Sequence, residues 1–256
     1  MCLIFVAWRV HGDYPLVVAA NRDEFFARPT LPAEFWNETP HILAGRDLEG
    51  GGTWMGITRS GRFAALTNYR DPAQMRSGVP SRGGLVAGFL AGSESPQAYL
   101  DQIASTAREC NGYNLIVGDG ESLWWSSNVG EVSRELTPGV YGVSNHLLDT
   151  PWPKVGAGKT ALSSALDALP DENSLFELLH DDSLHPDEHL PQTGVPLDWE
   201  RLLSAAFVKS PSYGTRSSTL LTRHCDGRII LDEKTWLPGA AIGPRRRFSF
   251  TSATAG

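Results

Sequence analysis

Cys2 is the residue whose position most directly suggests chemistry, because it follows Met1 and begins the apolar run CLIFVAW. Removal of Met1, which is common when a small residue follows, would place a thiol and a free α-amine on one residue. An α-amine titrates near ~8, against about 10.4 for a lysine side chain, so it can accept a proton near neutral pH. The sequence therefore predicts a nucleophile with its own general base, as in N-terminal-nucleophile enzymes. The alternative is that Cys2 is an arbitrary small residue at position two, as in many proteins, with no catalytic role.

A dense polar segment, residues 21–24 (NRDE), ends the second apolar run. When the two runs are paired about the turn between them, Cys2 is predicted to lie opposite Glu24. A cationic Arg22 would lower the pKa of the thiol, and Asp23 could hold the α-ammonium group or the thiol. Charged residues are also common at solvated strand ends, which is the alternative for this segment. Its pairing with Cys2 favours the catalytic interpretation.

Two asparagines and one arginine adjoin later strands, where they could line the same site. Asn68 ends the segment LTN and Asn145 ends the segment VSN. An acyl-transfer reaction needs neutral donors of this kind beside the developing oxyanion, although asparagine is equally common where a strand passes into a loop. Arg216 begins a late strand, where it could form an ion pair in the site, bind a substrate carboxylate or lie on the surface.

Strands must position these residues, and the first two, at 2–10 and 16–21, are apolar at both odd and even positions. A strand with one wet face alternates apolar and polar residues, so this sheet is predicted to be covered on both sides. Further strands are predicted at 54–58, 62–68, 113–117, 123–127, 140–144, 217–222, 229–232 and 246–250. Helices are predicted at 81–91, 95–110, 154–169, 175–179 and 200–206. This order indicates an antiparallel α+β layered domain.

The composition is that of a globular protein. The chain has 256 residues, of which 41% are hydrophobic and 20% charged, without a linker-like segment. We predict a single domain over residues 1–256, with about 246–256 as a candidate flexible tail. The net charge of −7 argues against nucleic acid as a partner, and no apolar run approaches the roughly 20 residues of a membrane span. Three cysteines without metal-like spacing predict no disulfide framework and favour a reducing cytoplasm.

Two other segments contain groups that could bind ligands. His185 and His189 have the spacing of one helix face, but neighbouring prolines leave little helix and no established zinc pattern fits. Residues 50–52 (GGG) lack the context of a phosphate-binding loop and are predicted to allow a tight approach beside Trp54. The sequence therefore predicts no metal site.

Several ordered motifs resemble one known family. They are Cys2 itself, 21–24 (NRDE), 52–56 (GTWMG), 66–70 (LTNYR), 144–145 (SN), 149–154 (DTPWPK), 190–196 (LPQTGVP) and 213–216 (YGTR). Together they resemble the NRDE-motif family, also called the transport and Golgi organisation protein 2 family. The resemblance spans nearly the whole chain and is highly specific.

That family in turn resembles the choloylglycine hydrolase and penicillin V acylase branch of the N-terminal-nucleophile hydrolases. The resemblance implies an α+β fold, namely a four-layer αββα sandwich of two antiparallel sheets flanked by helices. It also implies roles at matching positions: Cys2 as nucleophile, Asp23 as the carboxylate near the α-amine, Asn68 and Asn145 as oxyanion donors, and Arg216 as the late-strand arginine.

The arginine of the second strand departs from the acylase pattern. The acylases place it a few residues before the aspartate, whereas Arg22 directly precedes Asp23. Adjacent residues on a strand point to opposite faces, so we expect these two side chains to lie on different sides of the sheet. Arg22 is a candidate catalytic residue, and this departure puts catalysis in question.

Two functions are compatible with these residues. The first is an N-terminal-cysteine amidohydrolase that acts on a non-peptide C–N amide of an N-acyl compound and requires no cofactor. The second is a non-catalytic protein on the same fold that binds and traffics haem, a lipid or an acyl-thioester, since relatives are implicated in haem trafficking and lipid homeostasis. In either case the residues predicted to contact the small-molecule ligand are Asn21, Glu24, Trp54, Tyr69, His146 and Tyr213.

Overall fold

Two antiparallel sheets form the centre of the computed structural model, which describes residues 2–130 and 132–252. Along the chain the strands are β1 (Cys2–Trp8), β2 (Leu16–Phe25), β3 (Thr30–Phe35), β4 (Ile42–Asp47), β5 (Met55–Thr58), β6 (Phe63–Asn68), β7 (Tyr113–Gly118), β8 (Leu123–Ser127), β9 (Val132–Glu135), β10 (Gly139–Val143), β11 (Tyr213–Arg223), β12 (Arg228–Leu237) and β13 (Ala241–Thr251). Within the described ranges one sheet has the order β10-β1-β2-β11-β12-β13, and the other has the order β3-β4-β5-β6-β7-β8-β9. Both β1 and β2 are therefore interior strands.

Helices cover the outer face of each sheet. They are α1 (Gly83–Ala91), α2 (Pro96–Ile103), α3 (Pro153–Leu166), α4 (Asn173–Leu179) and α5 (Leu197–Leu202). Apolar side chains of α3 and α4 pack against the sheet that contains β1, and those of α1 and α2 pack against the other sheet. The predicted α+β sandwich with αββα layers is confirmed. Among the described residues, none of the helices combines the length and apolar character needed to cross a membrane.

β1 shows why the first strands are apolar on both faces. Ile4 and Val6 lie in the core between the sheets, whereas Leu3 and Phe5 lie against α3 and α4, and all four are fully buried. Alternate residues of a strand point to opposite faces, so covering both faces requires an uninterrupted apolar run. The predicted double coverage of this sheet is confirmed.

The close packing of α3 on β1 makes Gly158 sensitive to substitution. A Cβ at this position would lie 2.0 Å from Cζ of Phe5, a ring that is fully buried. We expect Gly158→Ala to destabilise the protein by about 2 kcal/mol, because overpacking outweighs the ~1 kcal/mol gain in helix propensity. Gly156→Ala on the same helix is the matched control, since a Cβ there meets nothing within 4 Å. Urea unfolding measures both variants, and equal effects on the free energy of unfolding would contradict this packing.

Three strands were absent from the sequence prediction, and two of them are edge strands. β3 contains Pro32 and buries only Ala33, and β9 is exposed throughout. Edge strands bury few side chains, and proline is tolerated there because one side of the strand needs no backbone partner. The third, β4, contains Gly45, which breaks the apolar run; a Cβ there would lie 3.0 Å from the carbonyl oxygen of Leu31.

The ends of two predicted elements also differ. Ser95 caps α2 as predicted, since its Oγ accepts a hydrogen bond from the N–H of Ala98 at 3.3 Å, but the helix ends at Ile103 and a short 3-10 turn follows. Residues 246–251 belong to β13 instead of a flexible tail, because this strand pairs with β12 along its length. Arg245 reinforces the pairing by donating to Oδ1 of Asp232 at 2.8 Å. Residues 253–256 of the predicted tail lie outside the described residues.

Candidate active site

The register of β1 against β2 sets the neighbours of Cys2. Cys2 pairs with Arg22, so the predicted pairing with Glu24 is wrong by two residues. The hairpin ends at the pair Trp8 and Leu16, which centres its turn one residue earlier than predicted. Residues directly opposite each other in an antiparallel pair point to the same face. The guanidinium group of Arg22 and the thiol of Cys2 therefore share the face between the two sheets.

Asp23 lies on the opposite face of β2 from Arg22 and is 2% exposed. Its Oδ1 accepts a hydrogen bond from Oγ1 of Thr215, its partner on β11, at 2.7 Å. Burial raises the pKa of Asp23, while the positive charge of Lys154 acts to lower it. Because Asp23 directly follows the partner of Cys2, its carboxyl group lies at the same end of the sheet as the thiol.

A cavity of about 200 Å³ opens beside Cys2 between the two sheets. The predicted site residues that line it are Cys2, Arg22, Asp23, Glu24, Trp54, Asn68 and Arg216. Charged residues that were not predicted also line it, and these are Arg28, Arg46, Asp47, Arg82 and Glu233. The wall is therefore polar and rich in arginine, which favours a ligand that carries a carboxylate or phosphate group.

Five predicted site residues are not part of the cavity wall: Asn21, Tyr69, Asn145, His146 and Tyr213. Asn21 is fully buried on the helix-covered face, where its Nδ2 donates to the carbonyl oxygens of Leu179 at 2.7 Å and Ala206 at 2.9 Å. Tyr213 packs edge-on against Trp199, with ring centroids 5.2 Å apart. The side chain of Asn21 binds α4 and the segment after α5 to β2, and that of Tyr213 packs β11 against α5.

The two candidate oxyanion donors are in contact, but they differ in position. Nδ2 of Asn145 donates to the carbonyl oxygen of Asn68 at 2.9 Å, and Oγ of Ser144 donates to the carbonyl oxygen of Cys2 at 3.4 Å. Residues 144 and 145 thus connect the beginning of β1 to the end of β6. Asn68 lines the cavity together with Cys2, whereas Asn145 is not part of the cavity wall.

Tyr69 and His146 form a hydrogen-bonded pair next to this connection. Oη of Tyr69 lies 2.8 Å from Nε2 of His146, and Nδ1 of the same ring lies 2.8 Å from Oγ1 of Thr150. Burial lowers the pKa of His146, and the positive charge of Arg70 acts in the same direction. The imidazole is therefore neutral at pH 7, and both of its nitrogens have hydrogen-bond partners.

Asp47 orients two of the cavity arginines. Its Oδ2 accepts hydrogen bonds from Nε of Arg28 at 2.7 Å and from Nη2 of Arg22 at 3.2 Å, while its Oδ1 accepts from the N–H of Gly50 at 2.8 Å. Partial burial acts to raise the pKa of Asp47, but the hydrogen bonds from Arg28 and Gly50 outweigh it and lower the pKa. An aspartate before a glycine-rich segment is a sequence pattern that predicts a turn. The contact between Asp47 and Arg22 could not be predicted in this way, because it depends on the tertiary fold.

Arg216 and Arg82 occupy the same cavity wall but are bound differently. Arg216 lies at a bulge in β11, and its Nη1 donates to the carbonyl oxygens of Phe25 at 2.8 Å and Arg28 at 3.1 Å. These contacts fix the segment after β2. Nη1 of Arg82 donates to the carbonyl oxygen of Gly112 at 3.1 Å, and no carboxylate among the described residues forms an ion pair with it. Arg82 and Arg216 therefore both lack a carboxylate partner among the described residues, and Arg82 has fewer side-chain hydrogen bonds than Arg216.

A further group of charges is buried behind Asp23, on the helix-covered side. Nη1 of Arg70 lies 3.3 Å from Oε2 of Glu200, and both side chains are 4% exposed. Nζ of Lys154 donates to the carbonyl oxygen of Leu203 at 2.7 Å. Lys154 belongs to the family-like motif 149–154, but its burial depends on the segment after α5, which the local sequence does not reveal.

Asp13, His224 and Cys225 are the described residues whose side-chain ligand atoms approach one another closely enough to suggest a metal, all within 4.8 Å. They lie on the turns that end β1 and β11, at the opposite end of the sheet from Cys2. Nδ1 of His224 also accepts a hydrogen bond from the N–H of Asp226 at 3.2 Å. This surface group is therefore separate from the cavity.

The ionisation of Cys2 is unfavourable in this setting. Burial raises the pKa of the thiol to about 11, although the positive charge of Arg22 acts to lower it. A group with this pKa is ionised in about one molecule in 10⁴ at pH 7. The neighbouring arginine is thus insufficient to activate the thiol, and a nucleophilic role requires a general base.

Comparison with known proteins relates the chain to a family across most of its length. The family model described as Transport and Golgi organisation 2 matches residues 1–238. The Transport and Golgi organization protein 2 homolog of Bos taurus is 36% identical over 263 residues, which cover 93% of this chain and 94% of that protein. Transport and Golgi organization protein 2 of Drosophila melanogaster is 28% identical, with 92% of each chain covered.

Solved structures give weaker matches. A variant of the conjugated bile acid hydrolase of Clostridium perfringens superposes with a TM-score of 0.48 and 9% identity, covering 100% of this chain and 98% of that chain. The N-acylethanolamine-hydrolyzing acid amidase ortholog of Caenorhabditis elegans superposes with a TM-score of 0.47 and 14% identity, covering 86% and 92%. The family relationship therefore rests on the sequence relatives.

Proposed function

The chain belongs to the Transport and Golgi organisation 2 family, and from the geometry of its site we propose that it is an N-terminal-cysteine amidohydrolase. Its substrate would be a non-peptide amide of an N-acyl compound. The observation that carries the proposal is the position of Cys2, which lines a cavity together with Arg22 and Asn68 while Asp23 follows Arg22 along β2. This set supplies a nucleophile, a cation, an amide donor and a carboxylate at one end of the sheet.

The general base in this proposal is the α-amine that removal of Met1 creates on Cys2. An α-amine with a pKa near ~8 is partly neutral at pH 7 and can take the proton of the thiol. The sulfur then attacks the amide carbon, a C–S bond forms, and the carbonyl oxygen becomes an oxyanion. In this proposal the side-chain amide of Asn68 donates a hydrogen bond to that oxygen. Arg22 stabilises the negative charge on the sulfur before the attack.

The remaining steps return the enzyme to its first state. The α-ammonium gives its proton to the amide nitrogen, the C–N bond breaks, and the amine leaves a thioester on Cys2. Water, deprotonated by the α-amine, attacks the thioester and releases the carboxylic acid. Asp23 has the opposite charge to the α-ammonium and stabilises it during both proton transfers.

The thioester intermediate provides a direct test of this proposal. The protein would be incubated with a panel of N-acyl amines, with and without an acidic group, quenched in acid and analysed by mass spectrometry. We expect an added mass equal to the acyl group on Cys2, removed by hydroxylamine, together with free amine in solution. Because Arg82 has no carboxylate partner among the described residues, we expect the acidic members of the panel to react fastest. A panel in which no member acylates Cys2 would count against the hydrolase.

A second candidate is the non-catalytic carrier of haem, a lipid or an acyl-thioester. The arginine-rich wall favours it as well, because these haem and acyl-thioester ligands carry carboxylate or phosphate groups. The cavity of about 200 Å³ is smaller than the ~300–1,000 Å³ that is usual for drug-sized ligands. A large ligand would therefore require the two sheets to move apart around the cavity. Saturable spectral titration of the Cys2→Ala variant with haem would support this function, and the absence of saturable binding would argue against it.

A further inference from the structure

One wall of the cavity is an edge strand that side chains of the opposite sheet hold in place. Residues 30–32 at the beginning of β3 line the cavity. Within the described ranges β3 is the edge of the seven-stranded sheet, so only β4 pairs with it. A strand with a single neighbour leaves half of its backbone groups without a partner in the sheet. The contacts that β3 makes with the other sheet therefore decide how firmly this wall is held.

A bulge in β3 interrupts its pairing with β4 beside the cavity. The register shifts between Leu31 and Glu34. Pro32 and Ala33 therefore oppose Gly45 alone, and a bulge of this kind leaves one residue outside the regular hydrogen bonding of the strands. Ala33 is only 2% exposed, so its N–H cannot rely on water and needs an acceptor elsewhere in the protein.

Glu233 on β12 supplies this acceptor. Its Oε1 accepts a hydrogen bond from the N–H of Ala33 at 2.7 Å, which joins the two sheets. Glu233 is 4% exposed and lines the cavity, and its Oε2 accepts from Oγ1 of Thr219, its partner on β11, at 3.4 Å. A carboxyl oxygen can accept the bond from Ala33 whether or not the group is ionised. An interior strand of one sheet thus completes the hydrogen bonding of an edge strand of the other.

Arg216 holds the other end of the same wall. Its Nη2 donates to Oγ1 of Thr30 at 3.2 Å. We call residues 30–33 the strap, because Arg216 binds it at its first residue and Glu233 binds it at its last. Leu31 and Pro32 lie between these two attachments and line the cavity, and Leu31 is 51% exposed. The strap therefore gives an apolar side to a wall that is otherwise rich in arginine.

We propose that Glu233 is a positioning residue that fixes the strap and thereby limits the size of the compounds that reach Cys2. This inference rests on the proposed function, because the position of the strap affects specificity only if Cys2 reacts with a ligand in the cavity. With the strap held, the cavity of about 200 Å³ accepts a small acyl group beside Leu31 and Pro32. Without an acceptor at position 233, the N–H of Ala33 is left unsatisfied, and the strap moves towards water to regain a hydrogen bond.

The test compares the alkylation of Cys2 by two neutral maleimides of different size, N-ethylmaleimide and N-(1-pyrenyl)maleimide, with the labelled residue identified by peptide mapping. Glu233→Met keeps a side chain of similar length but has only a weak acceptor, so we expect the ratio of the pyrenyl rate to the ethyl rate to rise ~10-fold. Glu233→Gln lacks the charge but keeps an oxygen acceptor, so its ratio should stay within about twofold of the wild-type ratio.

Glu34→Met is the matched control. Glu34 lies on the same strand, but its carboxylate is 67% exposed and binds Arg246 at 3.1 Å on the surface, so its loss should leave the ratio unchanged. A ratio that does not rise in Glu233→Met would overturn the proposal. A rise of equal size in Glu233→Gln would also overturn it, because the charge of Glu233 and not its hydrogen bond would then control access to Cys2.

Hydrogen exchange of the peptide that contains Ala33 supplies a measurement that does not depend on the reactivity of Cys2. In Glu233→Met we expect this peptide to exchange at least ~10-fold faster than in the wild type, while peptides from β5 keep their wild-type rates. Unchanged exchange at Ala33, or equal acceleration in β5, would show that Glu233 does not act on the strap and would overturn the proposal. Acceleration confined to the strap, together with a wild-type Cys2 that neither maleimide labels, would retain the attachment of the strap and reject the hydrolase.

Discussion

Replacement of Cys2 by alanine is expected to lower amide hydrolysis by ~10³-fold or more, because it removes the atom that forms the thioester. The fold should persist, since only one buried sulfur is lost and Ile4 and Val6 on the same face still fill the core between the sheets. The measurement is the rate of amine release from any substrate found in the acylation panel, with the Tm recorded in parallel.

Cys225→Ser is the matched control for this substitution. Cys225 is an exposed thiol on a turn at the other end of the sheet, so its loss should change neither the rate nor the Tm. Amine release that continues at the wild-type rate in Cys2→Ala would remove Cys2 from the mechanism and favour the carrier function.

Replacement of Asn68 by alanine is expected to reduce kcat by about 10²–10³-fold with little change in KM, because an oxyanion donor acts mainly in the transition state. The rate of Cys2 alkylation should stay near the wild-type value, since the amide acts on the substrate oxygen and not on the thiol. Asn128→Ala is a suitable control, because Asn128 bonds backbone groups near Cys110 and is not part of the cavity wall.

A loss of alkylation together with turnover in Asn68→Ala would contradict this assignment. It would mean that Asn68 holds the end of β6 and the neighbouring Asn145 in place, so that its removal disturbs Cys2 itself. Steady-state kinetics and alkylation measured on the same preparation separate the two roles.

The layers of the fold were predictable because β1 and β2 have an uninterrupted apolar pattern that only double coverage explains. The register was wrong by two residues, and a shift by two retains the face to which each side chain points. Cys2 therefore still faces the cavity, but its direct partner is the cation Arg22 and not the anion Glu24. The difference in register therefore changes the charge opposite the thiol of Cys2, and leaves the thiol on the same face of the sheet.

The remaining site residues depend on contacts that the local sequence does not encode. Asp47 ends β4, a strand that the sequence did not predict because Gly45 interrupts its apolar pattern, and Arg82 directly precedes α1, which is distant along the chain from Cys2. Both are near Cys2 because the two sheets stack with their ends together. Lys154 resembles an ordinary helix lysine in the sequence, and its burial follows from the approach of segment 203–208.

The state of the N-terminus tests the central claim most directly. The intact mass of the purified protein would be measured by mass spectrometry. The protein would then be treated briefly with iodoacetamide at pH 7, and the labelled residue would be identified by peptide mapping. We predict that Met1 is absent and that Cys2 reacts at least ~10²-fold faster than Cys110 and Cys225, because the α-amine activates the thiol. If Met1 is retained, or if Cys2 stays as unreactive as a buried thiol with a pKa of about 11 should be, the account of an N-terminal nucleophile is contradicted.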